Sequence, residues 1–172
     1  MLQKKTKIVF RKGGNIRPNE ALVYNGSNID IVDQFCYRGV LFHYNCTFYV
    51  TQKHCAEQGR KAMLSMRKNT SSLRLNIFTM LSLFDTYVCS ILLYGGEIGG
   101  IHKVPMVEKV QLDYSKMLLG VKRCTANVMI YYELGRVPLC CERIFRMLKC
   151  WFKILASDNC ILKSCYSELV LN

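Results

Sequence analysis

Lys53, Arg60, Arg67 and Lys68 recur at about the spacing of one helix face, with Lys61 beside them, and a cationic row of that kind can track the phosphates of a nucleic acid. The same row also reads as an ordinary solvated helix face. Phe35, Tyr37, Phe42 and Tyr44 are rings that could stack on bases or sugars, or pack in a core. Residue sets for catalysis are harder to find. Asp30 and Asp33 suit turn chemistry better than metal binding, and His43, His54 and His102 are scattered. No Ser, Cys or Thr stands in a nucleophile-elbow sequence, and His54 and Cys55, adjacent on a helix, point apart. Cys160, Cys165 and a distant His lack the close ligand pairs of structural zinc. Gly13-Gly14 and Gly95-Gly96 lack the patterns of phosphate-binding loops. The sequence thus points to binding, with no self-sufficient active site and no metal or cofactor set.

Positioning these residues requires strands first and helices after. Lys7 to Arg11 predicts a short strand, and Leu22–Tyr24 with Ile29–Ile31 flanks Asn25-Gly26, a strong hairpin signal. Asp33 to Phe42 predicts one more strand, so a small antiparallel sheet of three or four strands is expected. From Thr51 the period becomes helical. Thr51 is expected to cap a helix reaching about Asn69, with Cys55, Ala62, Met63 and Met66 inward. Asn76 caps a second helix over about 77–94, whose stripe is Ile77, Met80, Leu81, Phe84, Val88, Ile91 and Leu92. Pro105 opens a third that Gly120 stops, carrying Val107, Val110, Tyr114 and Met117. Asn127 to Leu134 is a fourth, ended by Gly135. Pro138 opens a fifth to about Ala156, with Ile144, Met147, Leu148, Trp151 and Leu155 on its buried side, and a last amphipathic turn or two follows Asp158-Asn159. The expected fold is α+β, mostly α: a small N-terminal antiparallel sheet over residues 1–50, then a helical bundle over 51–172.

Composition agrees with a packed chain: 172 residues, half of them apolar, with little Gly or Pro. The formal charge of +12 is uneven, because residues 1–74 hold thirteen Lys/Arg against four Asp/Glu and so carry +9 of it. A nucleic-acid backbone is the commonest partner of such a surface, followed by an anionic membrane or an acidic protein. Met1-Leu2-Gln3 runs into lysines without an apolar signal core, and the ten cysteines show no CxxC pair. An intracellular, reducing location is therefore expected. Leu75 to Gly96 is apolar enough to suggest a membrane span, but Asp85 at its middle favours a buried helix.

Taken in order, KTKIVF with its basic flank, a hairpin around YNG, DQFCYRGVLF, TQKHCAEQGRKAM and SLFDTYVCSILLYGGEIGG resemble the C-terminal part of a reverse transcriptase from a non-LTR (LINE-type) retrotransposon, over roughly residues 4–155. The resemblance implies a palm-end strand whose lysine, at Lys5, faces the departing pyrophosphate, with Lys7, Arg11 and Lys12 on the same basic strand region. It implies a primer-grip hairpin at Phe35, Tyr37, Gly39 and Val40, with Arg38 where leucine is usual. The helices after Thr51 are similar to a thumb lying along the template–primer duplex. Tyr94-Gly95 and Glu97 match an LYGSEVWG-like segment, in which Gly99 replaces a tryptophan.

The family's magnesium-binding Tyr-Ala-Asp-Asp-type carboxylates have no counterpart in this chain and are expected upstream of Met1, in a polymerase region that would be a partner. The chain alone is therefore expected not to polymerise. It is expected to hold RNA, RNA–DNA or DNA duplex non-specifically, without a membrane. The alternatives are a non-enzymatic interaction module and an unselected retrotransposon relic with no activity.

Overall fold

The structure is a computed structural model and describes residues 23–24, 26–45, 47–99 and 104–171. The protein is α+β and mostly α, with short antiparallel strands followed by helices. It divides into two compact units, the first ending at His54 and the second starting at Cys55. Lys5, Lys7, Arg11 and Lys12, and the strand expected over residues 7–11, lie outside the described residues.

In the first unit, β1 (Val23–Tyr24) pairs with β2 (Ser27–Asn28), Tyr24 opposite Ser27, and Gly26 adopts φ 76° in the two-residue turn between them. This turn sets the second arm at Ser27–Asn28, earlier than the expected Ile29–Ile31. The segment read from sequence as one strand is itself a hairpin, β3 (Gln34–Tyr37) against β4 (Val40–His43). Arg38 at φ 48° and Gly39 at φ 81° turn the chain, the pair of positive φ values that a two-residue I′ turn demands. Among the described residues the four strands make two separate two-stranded ladders instead of one sheet.

A two-residue turn makes Tyr37 and Val40 a hydrogen-bonded pair, so the next pair, Cys36 with Leu41, points its backbone groups outward. Thr51 takes up both: the Leu41 N–H donates to Thr51 Oγ1 at 3.1 Å, and the Thr51 hydroxyl donates to the Leu41 carbonyl at 2.7 Å. Thr51 is therefore not the cap expected from sequence. The first helix, α1 (Tyr49–Thr70), begins two residues earlier, and Thr51 sits buried in its first turn. Thr51→Val keeps the shape but leaves two backbone groups unmet, so it should cost about 1–3 kcal/mol. Thr51→Ser should cost much less, and amide exchange at Leu41 reports the difference directly.

The second unit is built on helices whose ends are set by local chemistry. The Asn76 side chain accepts the Thr79 N–H at 2.7 Å and starts α2 (Ile77–Leu83). The chain continues through a π-helical stretch, Phe84–Cys89, into α3 (Ser90–Leu92), followed by α4 (Gly96–Gly99). The expected second helix thus holds a π segment, which shifts its phase: Leu81, Phe84, Val88, Cys89 and Leu92 are buried while Ile77 is exposed. Pro105 opens α5 (Pro105–Leu118), and Gly120, at φ 65°, ends it in a Schellman motif, with Val121 N–H on Lys116 O and Gly120 N–H on Met117 O. The same motif at Gly135 ends α6 (Asn127–Glu133), and α7 (Leu139–Ala156) and α8 (Cys160–Leu171) follow.

The core gathers Ala56, Met63 and Met66 of α1, Leu81, Phe84, Val88 and Leu92 of the second helical run, Val107, Val110 and Tyr114 of α5, and Leu139. Gly59 lets α1 come this close, since a Cβ there would meet Leu92 Cδ2 and stand 2.9 Å from its Cγ. The Phe84 and Tyr114 rings stack at 4.4 Å and 12°, and the Tyr114 hydroxyl donates to Met80 O at 2.9 Å.

Helix α7 corrects the sequence reading. Its buried residues are Leu139 and Arg143, whereas Ile144, Leu148, Trp151 and Leu155 are exposed and Met147 is half-buried. The inward face was hidden in the sequence by a charged residue, because the Arg143 stem packs on Gly96 and its burial depresses the guanidinium pKa. Among the described residues no helix is long and apolar enough to cross a membrane, and Cys36, Cys55, Cys89, Cys124, Cys140, Cys141, Cys150 and Cys160 are free thiols.

Candidate nucleic-acid interface

On α1 the buried residues Cys55, Ala56, Gly59, Met63 and Met66 define one side of the cylinder. At 100° per residue, Lys53, Arg60 and Arg67, seven apart, fall within about 40° of one line, and Lys61 and Lys68 form a second line beside it. All five are exposed: the line of Lys53, Arg60 and Arg67 runs along one edge of the buried face, and Lys61 and Lys68 lie opposite that face. Successive members of the row are about 10 Å apart along the axis. Glu57 shares this face, but the cations outnumber it.

Arg60 and Arg67 also border two clefts of the second unit, of about 630 and 420 Å³. Arg60, Lys116 and Arg123 line both, Lys109 lines the first and Arg67 the second, with Asp113 as the acidic group common to the two. Arg123 lies just beyond the Gly120 turn, and the Lys116 ammonium donates to its carbonyl at 2.8 Å. Sequence reasoning missed Lys109, Lys116 and Arg123. The available signal was their own seven-residue spacing, a repeat of the one on α1.

The hairpin of the first unit offers a different surface. Strand alternation and the register Phe35↔Phe42, Tyr37↔Val40 put these four side chains on one face. Phe35 is half-buried, Tyr37 is 56% exposed, and the Phe42 ring meets Phe48 edge-on at 6.5 Å. Arg38 is exposed at the turn, its guanidinium 5.8 Å from the Tyr37 ring centroid. A left-handed conformation costs a non-glycine residue about 1–2 kcal/mol, and the I′ turn imposes it on Arg38.

Asp85 and Glu108, with the thiols beside them, have structural work. Asp85 holds Arg136 through two parallel bonds of 2.6 and 2.7 Å and accepts from the Cys89 thiol at 3.7 Å. Burial first, and the Asp85 charge second, push the Cys89 pKa up to about 12. Glu108 of α5 takes the Leu139 and Cys140 N–H groups at the start of α7, together with the Tyr131 hydroxyl at 3.1 Å. Burial raises the Cys140 pKa, with Glu108 adding to it, so neither thiol is an activated nucleophile.

No family model, curated protein or solved structure matches this chain. Among the described residues no group of three His, Cys, Asp or Glu could hold a metal ion. Asp85 and Glu108 are committed as above, and Glu142 pairs with Arg146 at 3.3 Å. What the arrangement can do is present positive charge in register: five cations on α1, with Lys109, Lys116 and Arg123 along the clefts.

Proposed function

We propose that this chain is a template–primer-holding piece of a reverse-transcriptase-like polymerase, binding the phosphate backbone of an RNA–DNA or DNA duplex without reading its sequence. The observation that carries the reading is the exposed seven-residue repeat of cations on α1. Arginine and lysine aimed at phosphates neutralise charge and release counterions, which supplies affinity without base contacts. The Phe35, Tyr37, Arg38 and Gly39 hairpin is a second, separate contact element in this reading, with an exposed ring and a cation at its tip. The reading keeps Lys5 as the pyrophosphate-side lysine and assigns the rest of the chain to grip.

Anisotropy titration of a labelled RNA–DNA hybrid tests it. If the five α1 cations each meet a phosphate, log K falls against log salt with a slope of about −4.5, a loss on the order of 500-fold between 50 and 200 mM. Duplexes of unrelated sequence should bind alike. Affinity that ignores salt, or that follows sequence, refutes the proposal.

A further inference from the structure

The two clefts beside α1 gather cations more densely than the α1 row does. Arg60 and Arg67 stand on one wall and Lys109 and Lys116 of α5 on the other, each pair seven residues apart, and Arg123 joins them from beyond the Gly120 turn. Arg60, Lys116 and Arg123 line both clefts, so these three stand where the clefts adjoin. The Lys116 ammonium is held there by its bond to the Arg123 carbonyl at 2.8 Å, which uses one of its donors and leaves the others for a ligand. Asp113 shares both clefts. Yet among the described residues the ion pairs are Arg136 with Asp85, Arg146 with Glu142 and Lys163 with Asp158, so no paired carboxylate neutralises Arg60, Lys116 or Arg123. Cations left unpaired in a concave site focus the field and raise the local concentration of anions.

Charge density decides which anion fits. Along the α1 row successive cations are about 10 Å apart, one for each phosphodiester with its single negative charge. Three cations in one place instead match a phosphomonoester, which carries about −1.5 to −2 at neutral pH and three strong acceptor oxygens. Size decides what carries that group. The clefts hold about 630 and 420 Å³, within the ~300–1,000 Å³ of small-molecule sites, room for a nucleotide but not for a duplex. Arg60 and Arg67 belong both to the row and to the cleft wall, so a strand lying along the row brings its end to the clefts. We propose that the paired clefts bind the terminal phosphate of a nucleic-acid strand, an assignment that rests on the duplex-holding reading above and adds recognition of the strand's end to it.

Anisotropy titration of the full chain at 0.1 M salt tests it, with labelled RNA–DNA hybrids that end in a short 5′ or 3′ overhang bearing either a terminal phosphate or a hydroxyl. In at least one polarity the phosphorylated hybrid should bind about 8-fold more tightly or better, the worth of one further phosphate contact at that salt. Arg123→Gln should cut this preference to under about 2-fold, and Arg123→Lys, which keeps the charge, should retain most of it. Lys61 and Lys68 line neither cleft, so Lys61→Gln/Lys68→Gln should weaken both hybrids and leave the preference intact. Equal affinity for phosphorylated and hydroxyl hybrids in both polarities, with binding that still weakens with salt, overturns this proposal and leaves the α1 row standing. Absence of salt-sensitive binding by any of the hybrids overturns both. Displacement of the phosphorylated hybrid by adenosine 5′-monophosphate, at concentrations near the hybrid's own dissociation constant, would make the clefts a site for free nucleotides and overturns the strand-end assignment.

Discussion

The triple substitution Lys53→Gln/Arg60→Gln/Arg67→Gln lowers duplex affinity on the order of 500-fold at 0.1 M salt and makes the salt slope shallower by about 2.7. Both figures follow from counterion release: each phosphate neutralised contributes about 0.9 to the slope, and at 0.1 M each such contact is worth about 8-fold. The three residues form the straight line of the α1 row, and all are exposed at the edge of the buried face. Removing their charge should therefore leave the melting transition within about 0.5 kcal/mol of the parent. Lys149→Gln/Lys153→Gln on α7 is the matched control, removing charge elsewhere and leaving duplex affinity nearly unchanged. Equal losses per charge removed would mean that net charge, not the row, drives binding.

Tyr114→Ala destabilises the second unit by about 3–5 kcal/mol, a large share of the total for a domain this size. The ring is 1% exposed, lies flat on Phe84 and fills the junction between α5 and the π-helical stretch. Its truncation removes the transfer energy of an aromatic side chain and the stacking, and leaves a cavity. Tyr114→Phe separates these effects, since it keeps the ring and loses only the bond to Met80 O, worth about 1 kcal/mol. Urea denaturation of the three proteins measures both steps. Near-equal losses would mean that the hydroxyl, not the ring, holds the junction.

Helix ends were legible in the sequence because single residues determine them. Asn76 receives the Thr79 N–H, Pro105 occupies the first turn of α5, and Gly120 and Gly135 take the left-handed positions that close Schellman motifs. The outward α1 cations were equally legible, from periodicity alone. The hairpin at Arg38-Gly39 was not read from the strand pattern, because Arg38 occupies a left-handed position that arginine disfavours and only Gly39 marks the turn. The π-helical stretch was hidden because its change of phase moves burial from one apolar residue to another, here towards Cys89. On α7 the pattern offered two apolar sides, and the buried Arg143 made the inward one look polar. The clefts lined by Lys116 and Arg123 bring together residues from α1, α5 and the turn beyond it, a relation set by packing that local spacing shows only in part.

Lysine acetylation footprinting, read residue by residue by mass spectrometry with and without a saturating RNA–DNA hybrid, tests the α1 row most directly. Lys53, Lys61 and Lys68 are exposed on α1, and Lys149 and Lys153 are exposed on α7. Duplex should protect the first three and leave the other two little changed. Protection confined to Lys149 and Lys153, or uniform at all five, would contradict it.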